Sequence, residues 1–171
     1  MPSTTTDLSL ERRDFLQSLD KHRGFLRFAV QDLTDEQASA TPTASQLCLG
    51  GLVKHVAFVE SGWVDFIVEG TEAMEFRPEK LDVHTNSFRM LEGETLAGIL
   101  ADYEKVTNRT DEVLATVDLD LSHPLPSAPW FEPGASWSAR RVFIHIVAET
   151  AQHAGHADIL RETIDGQKSM G

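Results

Sequence analysis

Four apolar stripes at helical spacing, separated by two stretches that cannot continue a helix, constrain this chain more than any other feature. The first, over about residues 8–33, runs Phe15, Leu19, His22, Leu26, Ala29, Val30, Leu33. Positions three and four apart share one face of a 3.6-residue helix. Thr34-Asp35-Glu36 and Thr41-Pro42 break that pattern. The second stripe, within residues 45–69, is Leu52, His55, Val56, Val59, Trp63, Phe66 and Ile67, with Gly70 as a stop signal. The third, within residues 94–117, is Leu96, Ile99, Leu100, Tyr103, Val106, Thr110, Val113 and Leu114. The fourth helix is expected to start near Trp137, with Ser136 as its N-cap, and to end at Gly166. Residues 71–92, which contain Pro78, read as an irregular connection. Residues 118–135 hold Pro124, Pro126, Pro129, Pro133 and Gly134 and cannot be helix. No segment reads as a strand. The pattern predicts an all-α four-helix bundle formed as a single domain over residues 1–171. Connections as long as these two usually wall a functional site.

The bulk properties exclude several function classes. Formal net charge is −12, and no basic stripe offsets it. Such a chain repels a phosphate backbone, so nucleic acid and anionic membrane surfaces are not expected partners. No apolar run approaches the roughly 18 residues that span a bilayer. Met1-Pro-Ser-Thr-Thr-Thr lacks the basic region and apolar core of a signal peptide. Cys48 is the one cysteine, so no intramolecular disulfide can form, and a cytoplasmic location is expected.

The fourth helix carries the chemistry. On a wheel of about 100° per residue, His145, Glu149, His153 and His156 fall within an arc of about 80°. Val142 and Leu160 share that arc, so the polar groups lie on the apolar stripe. A carboxylate there needs a partner or a metal. Glu149 and His153, four residues apart, can offer two donors to one ion. His55, between Leu52 and Val59 on the second stripe, is the candidate third donor. Three protein ligands would leave a position open, as catalytic rather than structural sites do. Three alternatives stand beside this set. A lone core histidine such as His55 or His22 can be hydrogen-bonded packing, Glu149 can pair with His145 or with an Arg of another helix, and His153 with His156 is a competing ligand pair. Di-iron bundles require Glu-x-x-His pairs, and the sequence has none. Cys48 reads as a small buried residue near a helix start rather than a nucleophile.

At the segments HIVAETAQHAGHADILRETIDG and LGGLVKHVAFVESGW, the chain resembles the DinB-like metal-binding four-helix superfamily, of the mini-circle type. It is similar there to mycothiol-dependent maleylpyruvate isomerase and to thiol S-transferases. The resemblance covers essentially the whole chain. It implies an up-down-down-up bundle with a divalent ion at one end. Many members carry His-x-x-x-His on the last helix; Glu149 takes the first of those positions here, as a glutamate does in the isomerase. The ligands implied are His55, Glu149 and His153, with His156 supporting the site or forming its wall.

The resemblance implies a divalent-metal-dependent thiol transferase, or a related isomerase, acting on small electrophiles. Mycothiol or a similar low-molecular-weight thiol would be the co-substrate. Zn is the first candidate ion, and Ni, Fe and Mn also suit such ligands. A small-molecule thiol and an electrophile are the expected partners, and a homodimer is allowed for. A non-catalytic metal-containing small-molecule-binding or stress-response protein is the alternative. A metal-dependent hydrolase ranks lower, because no general base is evident beyond Glu149.

Overall fold

A computed structural model describes residues 8–75 and 77–169; the leader reading at Met1–Thr6 concerns residues outside these. Helix α1 spans Leu10–Ala29 and a short α2 spans Asp35–Ser39. The helix α3 covers Leu49–Glu69, α4 Pro78–Ser87, α5 Leu96–Thr116 and α6 Ala139–Asp165. Strands β1 (Ser122–Pro124) and β2 (Ser136–Ser138) pair antiparallel between α5 and α6.

The four stripes become α1, α3, α5 and α6, and side-chain pairs fix their directions. Arg140 of α6 reaches Glu11 at the start of α1, and Arg161 of α6 binds the carbonyls of Ala29 and Gln31 at the other end. These two helices are therefore parallel. Lys54 meets Glu94 at one end of the α3–α5 pair, and Asp65 meets Arg109 farther along, so α3 and α5 are also parallel. His55 faces His153, and Trp63 faces His145, so α3 runs against α6. This is the up-down-down-up order. Parallel α3 and α5 require a crossover, which is why residues 71–92 are so many.

That connection is not irregular. It holds a 3₁₀ turn at Thr71–Met74 and the ten-residue α4. Pro78 opens α4 at its first position, where a missing N–H and a fixed φ favour a helix start. Thr34 also starts a helix. Its side chain accepts from Gln37 N, and Gln37 returns to Thr34 N in a capping box that begins α2. Ser138, not Ser136, caps α6, accepting from Arg141 N. Ser136 and Trp137 lie in β2, where three-residue pairing overrides any helical start.

Two layers of core run through the bundle. One gathers Leu26, Leu49, Leu52, Val56, Tyr103 and Leu160, and the other Leu19, Phe66, Ile67, Leu114, Phe143 and Ile146. Between α1, α3 and α5 lies a charge the stripes did not reveal. Arg23 and Glu60, each 1% exposed, pair at 2.5 Å, and Arg23 also reaches Asp111 at 2.8 Å.

The segment after α4 packs closely on the first turn of α3. A Cβ at Gly51 would sit 2.0 Å from the Phe88 carbonyl oxygen, and one at Gly50 2.3 Å from Met90 Sδ. Gly51→Ala must displace backbone, whereas nothing lies within 4 Å of the corresponding position at Gly24. Gly51→Ala is expected to lose about 1–3 kcal/mol, as overpacked sites do. Gly24→Ala, inside α1, is expected to gain up to about 1 kcal/mol from helix propensity. Urea denaturation of the two variants checks both signs.

Candidate metal centre

Helix α3 lifts His55 out of its second turn toward α6, where Glu149 and His153 stand one turn apart. One donor atom from each of the three lies within 4.8 Å of the others. Among the described residues they form the one such group of three His, Cys, Asp or Glu side chains. His55 is 4% exposed and His153 8%. The Glu149 side chain is 28% exposed, so it borders the surface rather than lying in the core as the wheel implied.

Hydrogen bonds aim these donors. Ser87, in the last turn of α4, donates its hydroxyl proton to the His84 carbonyl at 2.6 Å. Its oxygen is therefore free to accept from His55 Nδ1–H, 2.9 Å away. That bond sets the tautomer and leaves the lone pair of His55 on Nε2. Histidine ligands commonly hold their second nitrogen this way. The ring is also clamped by Phe88, stacked at 3.7 Å between centroids, and by His84 and His153 edge-on at 5.6 and 4.8 Å. His153 turns Nε2 to Glu149 Oε2 at 3.6 Å, and its Nδ1 faces His156 Nδ1 at 3.4 Å. The other carboxylate oxygen faces His145 Nε2 at 3.6 Å.

The two pairings weighed against the three-residue group are thus both present as contacts. His145 and His153 share Glu149, while His156 meets His153 on the nitrogen turned away from Glu149. Residues from α4 were missed. His84, Ser87 and Phe88 all touch His55, and the available signal was Pro78 followed by fourteen residues free of Gly and Pro.

Burial keeps these rings neutral and hence able to donate a lone pair. His55 is pushed down to about 3, first by burial and then by His153 and His84. Burial likewise lowers His153, with His156 adding to it. Burial lowers His145 too, against the opposing pull of Glu149.

Cys48 caps the start of α3 and is 2% exposed, with Sγ 3.8 Å from the Phe88 carbonyl. A thiol so enclosed cannot meet a substrate. His22 is half-buried beside Phe25, away from this group. His123 meets the Ile67 carbonyl at 3.1 Å and pins β1 to the end of α3.

Two aromatic walls adjoin the group. Trp63 stacks on Trp137 at 4.8 Å, and both rings stand edge-on to His145. Phe58 stands edge-on to His84. No helix among the described residues is long and apolar enough to cross a membrane.

The sequence matches the family described as mycothiol S-transferase over residues 14–166. Among solved structures, a conserved protein of Enterococcus faecalis is similar at 15% identity and a TM-score of 0.63. The match covers 91% of this chain and 97% of that one. At that identity the likeness concerns the fold. No curated protein matches.

A pH dependence follows for the metal-free protein. Each depressed histidine binds its proton more readily when unfolded, so acid favours unfolding. Stability is complete above the unfolded value of about 6.5 and declines as pH falls toward the His55 value of about 3. The urea midpoint of metal-free protein should be lower at about pH 5 than at about pH 7.5. An unchanged midpoint would contradict the buried neutral histidines.

Proposed function

Since this chain belongs to the mycothiol-S-transferase family, we propose that it joins a low-molecular-weight thiol such as mycothiol to small electrophiles. We propose His55, Glu149 and His153 as the ligands of one divalent ion, with Zn the first candidate. The observation that carries this is the convergence of three donor atoms within 4.8 Å, with His55 Nε2 left free by the Nδ1 bond to Ser87.

The donor set fits a divalent ion of borderline softness, since two neutral imidazoles and one carboxylate are common ligands for it. When bound, the ion supplies a Lewis-acidic position that lowers the pKa of an entering thiol and makes it nucleophilic near neutral pH. The protein's own residues do the rest. Ser87 fixes the tautomer and direction of His55. His145 holds one oxygen of Glu149, leaving the other to the shared position. His156 backs His153 from its far nitrogen. Phe88 closes one side of His55, and the aromatic walls shield the approach from water. Cys48, being enclosed, supplies no sulfur. A thiol co-substrate suits a reducing compartment, and a chain with one cysteine suits it too.

In the transfer, the thiol proton leaves to solvent and the sulfur attacks the electrophilic carbon. With benzyl chloride the new C–S bond forms as the C–Cl bond breaks, and chloride departs with the bonding electrons.

Elemental analysis of protein purified without added metal should find a divalent ion in the wild type and none in His153→Ala. Mycothiol consumption with benzyl chloride should require the ion, disappear in His153→Ala, and persist in Cys48→Ala. A His153→Ala protein that keeps its metal would remove His153 from the ligand set. Activity that survives loss of His55 but ends with Cys48→Ala would replace this reading with a cysteine mechanism.

Ser87→Ala tests the support separately. Outer partners of metal-bound histidine typically contribute about 10–100-fold in metal affinity. Ser87→Ala is therefore expected to weaken metal binding by about that factor while the helical content stays unchanged. Competition with a chromogenic chelator measures it.

A further inference from the structure

Two adjoining cavities, of about 390 and 480 Å³, lie between α3, α4 and the loop after β1. They share Phe58, Met74 and His84. The larger is completed by Leu81, Trp130 and Phe131 with a proline-rich rim. His84 lines both cavities and stands edge-on to both His55 and Phe58, so this one ring separates the cavities from the metal-ligand candidates, none of which lines either. Trp63, which lines the smaller cavity, stands edge-on to His145.

The chemistry of the walls is one-sided. The rings of Phe58, Trp63, Trp130 and Phe131 supply flat apolar surface. Among the described lining residues of both cavities there is no Lys or Arg, and the charged ones are Asp65 and Glu75. Asp65 is held by Arg109 at 2.6 Å on the far side. Among the described lining residues a carboxylate would find no cation in return for its lost hydration, which is unfavourable; Arg141, over the Trp137 ring at 4.0 Å, lines neither cavity. A neutral ring would instead exchange water for aromatic faces. Trp130 is 77% exposed. An apolar ring so open beside Phe131, 6.1 Å away, has most of its face free to cover a guest.

Resting on the thiol-transfer reading, we infer that the electrophile is a neutral aromatic molecule, seated between Phe58, Met74, Leu81, Trp130 and Phe131, and not an anionic carboxylate. His84 marks the edge where its reactive carbon meets the thiol.

The tryptophans make this directly measurable. The chain has three, Trp63, Trp130 and Trp137. All stand in this corner, linked through Phe131, so tryptophan fluorescence, excited beyond the absorption of the one tyrosine, Tyr103, reports on it alone. Nitrobenzene, a neutral quencher inert to thiols, is titrated beside para-nitrobenzoate, its anionic counterpart. Saturable quenching by nitrobenzene at least about tenfold tighter than by the benzoate is expected. Trp130→Ala and Leu81→Ala should each weaken it about fivefold or more, with metal content and helical content unchanged. In the transfer assay, benzyl chloride should be preferred over para-(chloromethyl)benzoate, and Trp130→Ala should raise KM for benzyl chloride by a larger factor than KM for iodoacetamide.

Equal affinity for the two quenchers, quenching without saturation, or indifference to both substitutions would overturn the inference. If nitrobenzene binds as expected but no thiol is consumed with any electrophile, the transferase reading fails and the aromatic pocket stands. If thiol is consumed but the quenchers do not discriminate, the pocket inference fails and the transferase reading stands.

Discussion

The Phe88 carbonyl lies where a side chain at residue 51 would have to be, and the candidate site depends on that contact. Only glycine in the first turn of α3 lets the chain leaving α4 approach so closely. The approach seats the Phe88 ring flat on His55 and brings the Ser87 hydroxyl to its Nδ1. It also encloses Cys48 beneath the same carbonyl. Without α4 at this distance, His55 would be a histidine on an apolar stripe with no fixed tautomer. The pair Gly50-Gly51 therefore acts on the chemistry four residues away, through a neighbouring helix rather than through α3 itself.

Helix α3 also separates two kinds of buried charge. On the side facing α6 the rings of His55 and His153 are neutral because burial penalises their protonated forms. On the side facing α1 and α5 the charges of Arg23 and Glu60 remain, because they pair with each other and Arg23 also pairs with Asp111. The first arrangement keeps lone pairs available for a cation. The second uses its charges on one another, with Arg27 lying over the ring of Tyr103 beside it. Removing Glu60 would break the buried pair and leave the Arg23 guanidinium to Asp111 and the more distant Asp20, a loss of at most the ~3–5 kcal/mol typical of a broken buried ion pair. The ion pair holds three helices together, and the histidine group is left free to bind.

The bundle was legible because long amphipathic periods survive any tertiary context, and all four stripes became the four long helices. The group of His55, Glu149 and His153 was legible because ionisable side chains on apolar stripes need a reason to be there. What was not legible was short or dependent on distant partners. Helices α2 and α4 are too brief for a stripe to show, and only their caps, Thr34 with Gln37 and Pro78 at the first position, announce them. The β1–β2 pair exists because Ser122–Pro124 meets Ser136–Ser138 across eleven intervening residues, and that pairing displaced the expected cap from Ser136 to Ser138. Arg23 escaped notice because it neighbours His22 on α1, and a long charged side chain reads as solvated until its partners on α3 and α5 are known. The half-exposed Glu149 shows the limit of the wheel, which gives a direction but not the depth of cover above it.

The donors stand on long helices, whereas much of the larger cavity's wall is the loop 126–131, and this bears on what the fold can conserve. His55, Glu149 and His153 stand on α3 and α6, long helices fixed by two core layers. A loop residue such as Trp130 touches neither helix core and can change without moving a donor. The reverse does not hold. His84 belongs to both systems, touching His55 on one side and lining the cavities on the other. It sits on α4, whose position is set by the glycines of α3. A change of guest that required a different residue at 84 would alter the surroundings of His55 as well. On the proposed reading, residues 126–131 wall the larger cavity away from the donors, whereas His84 joins that wall to His55, which makes α4 the element that links cavity and metal-ligand candidates.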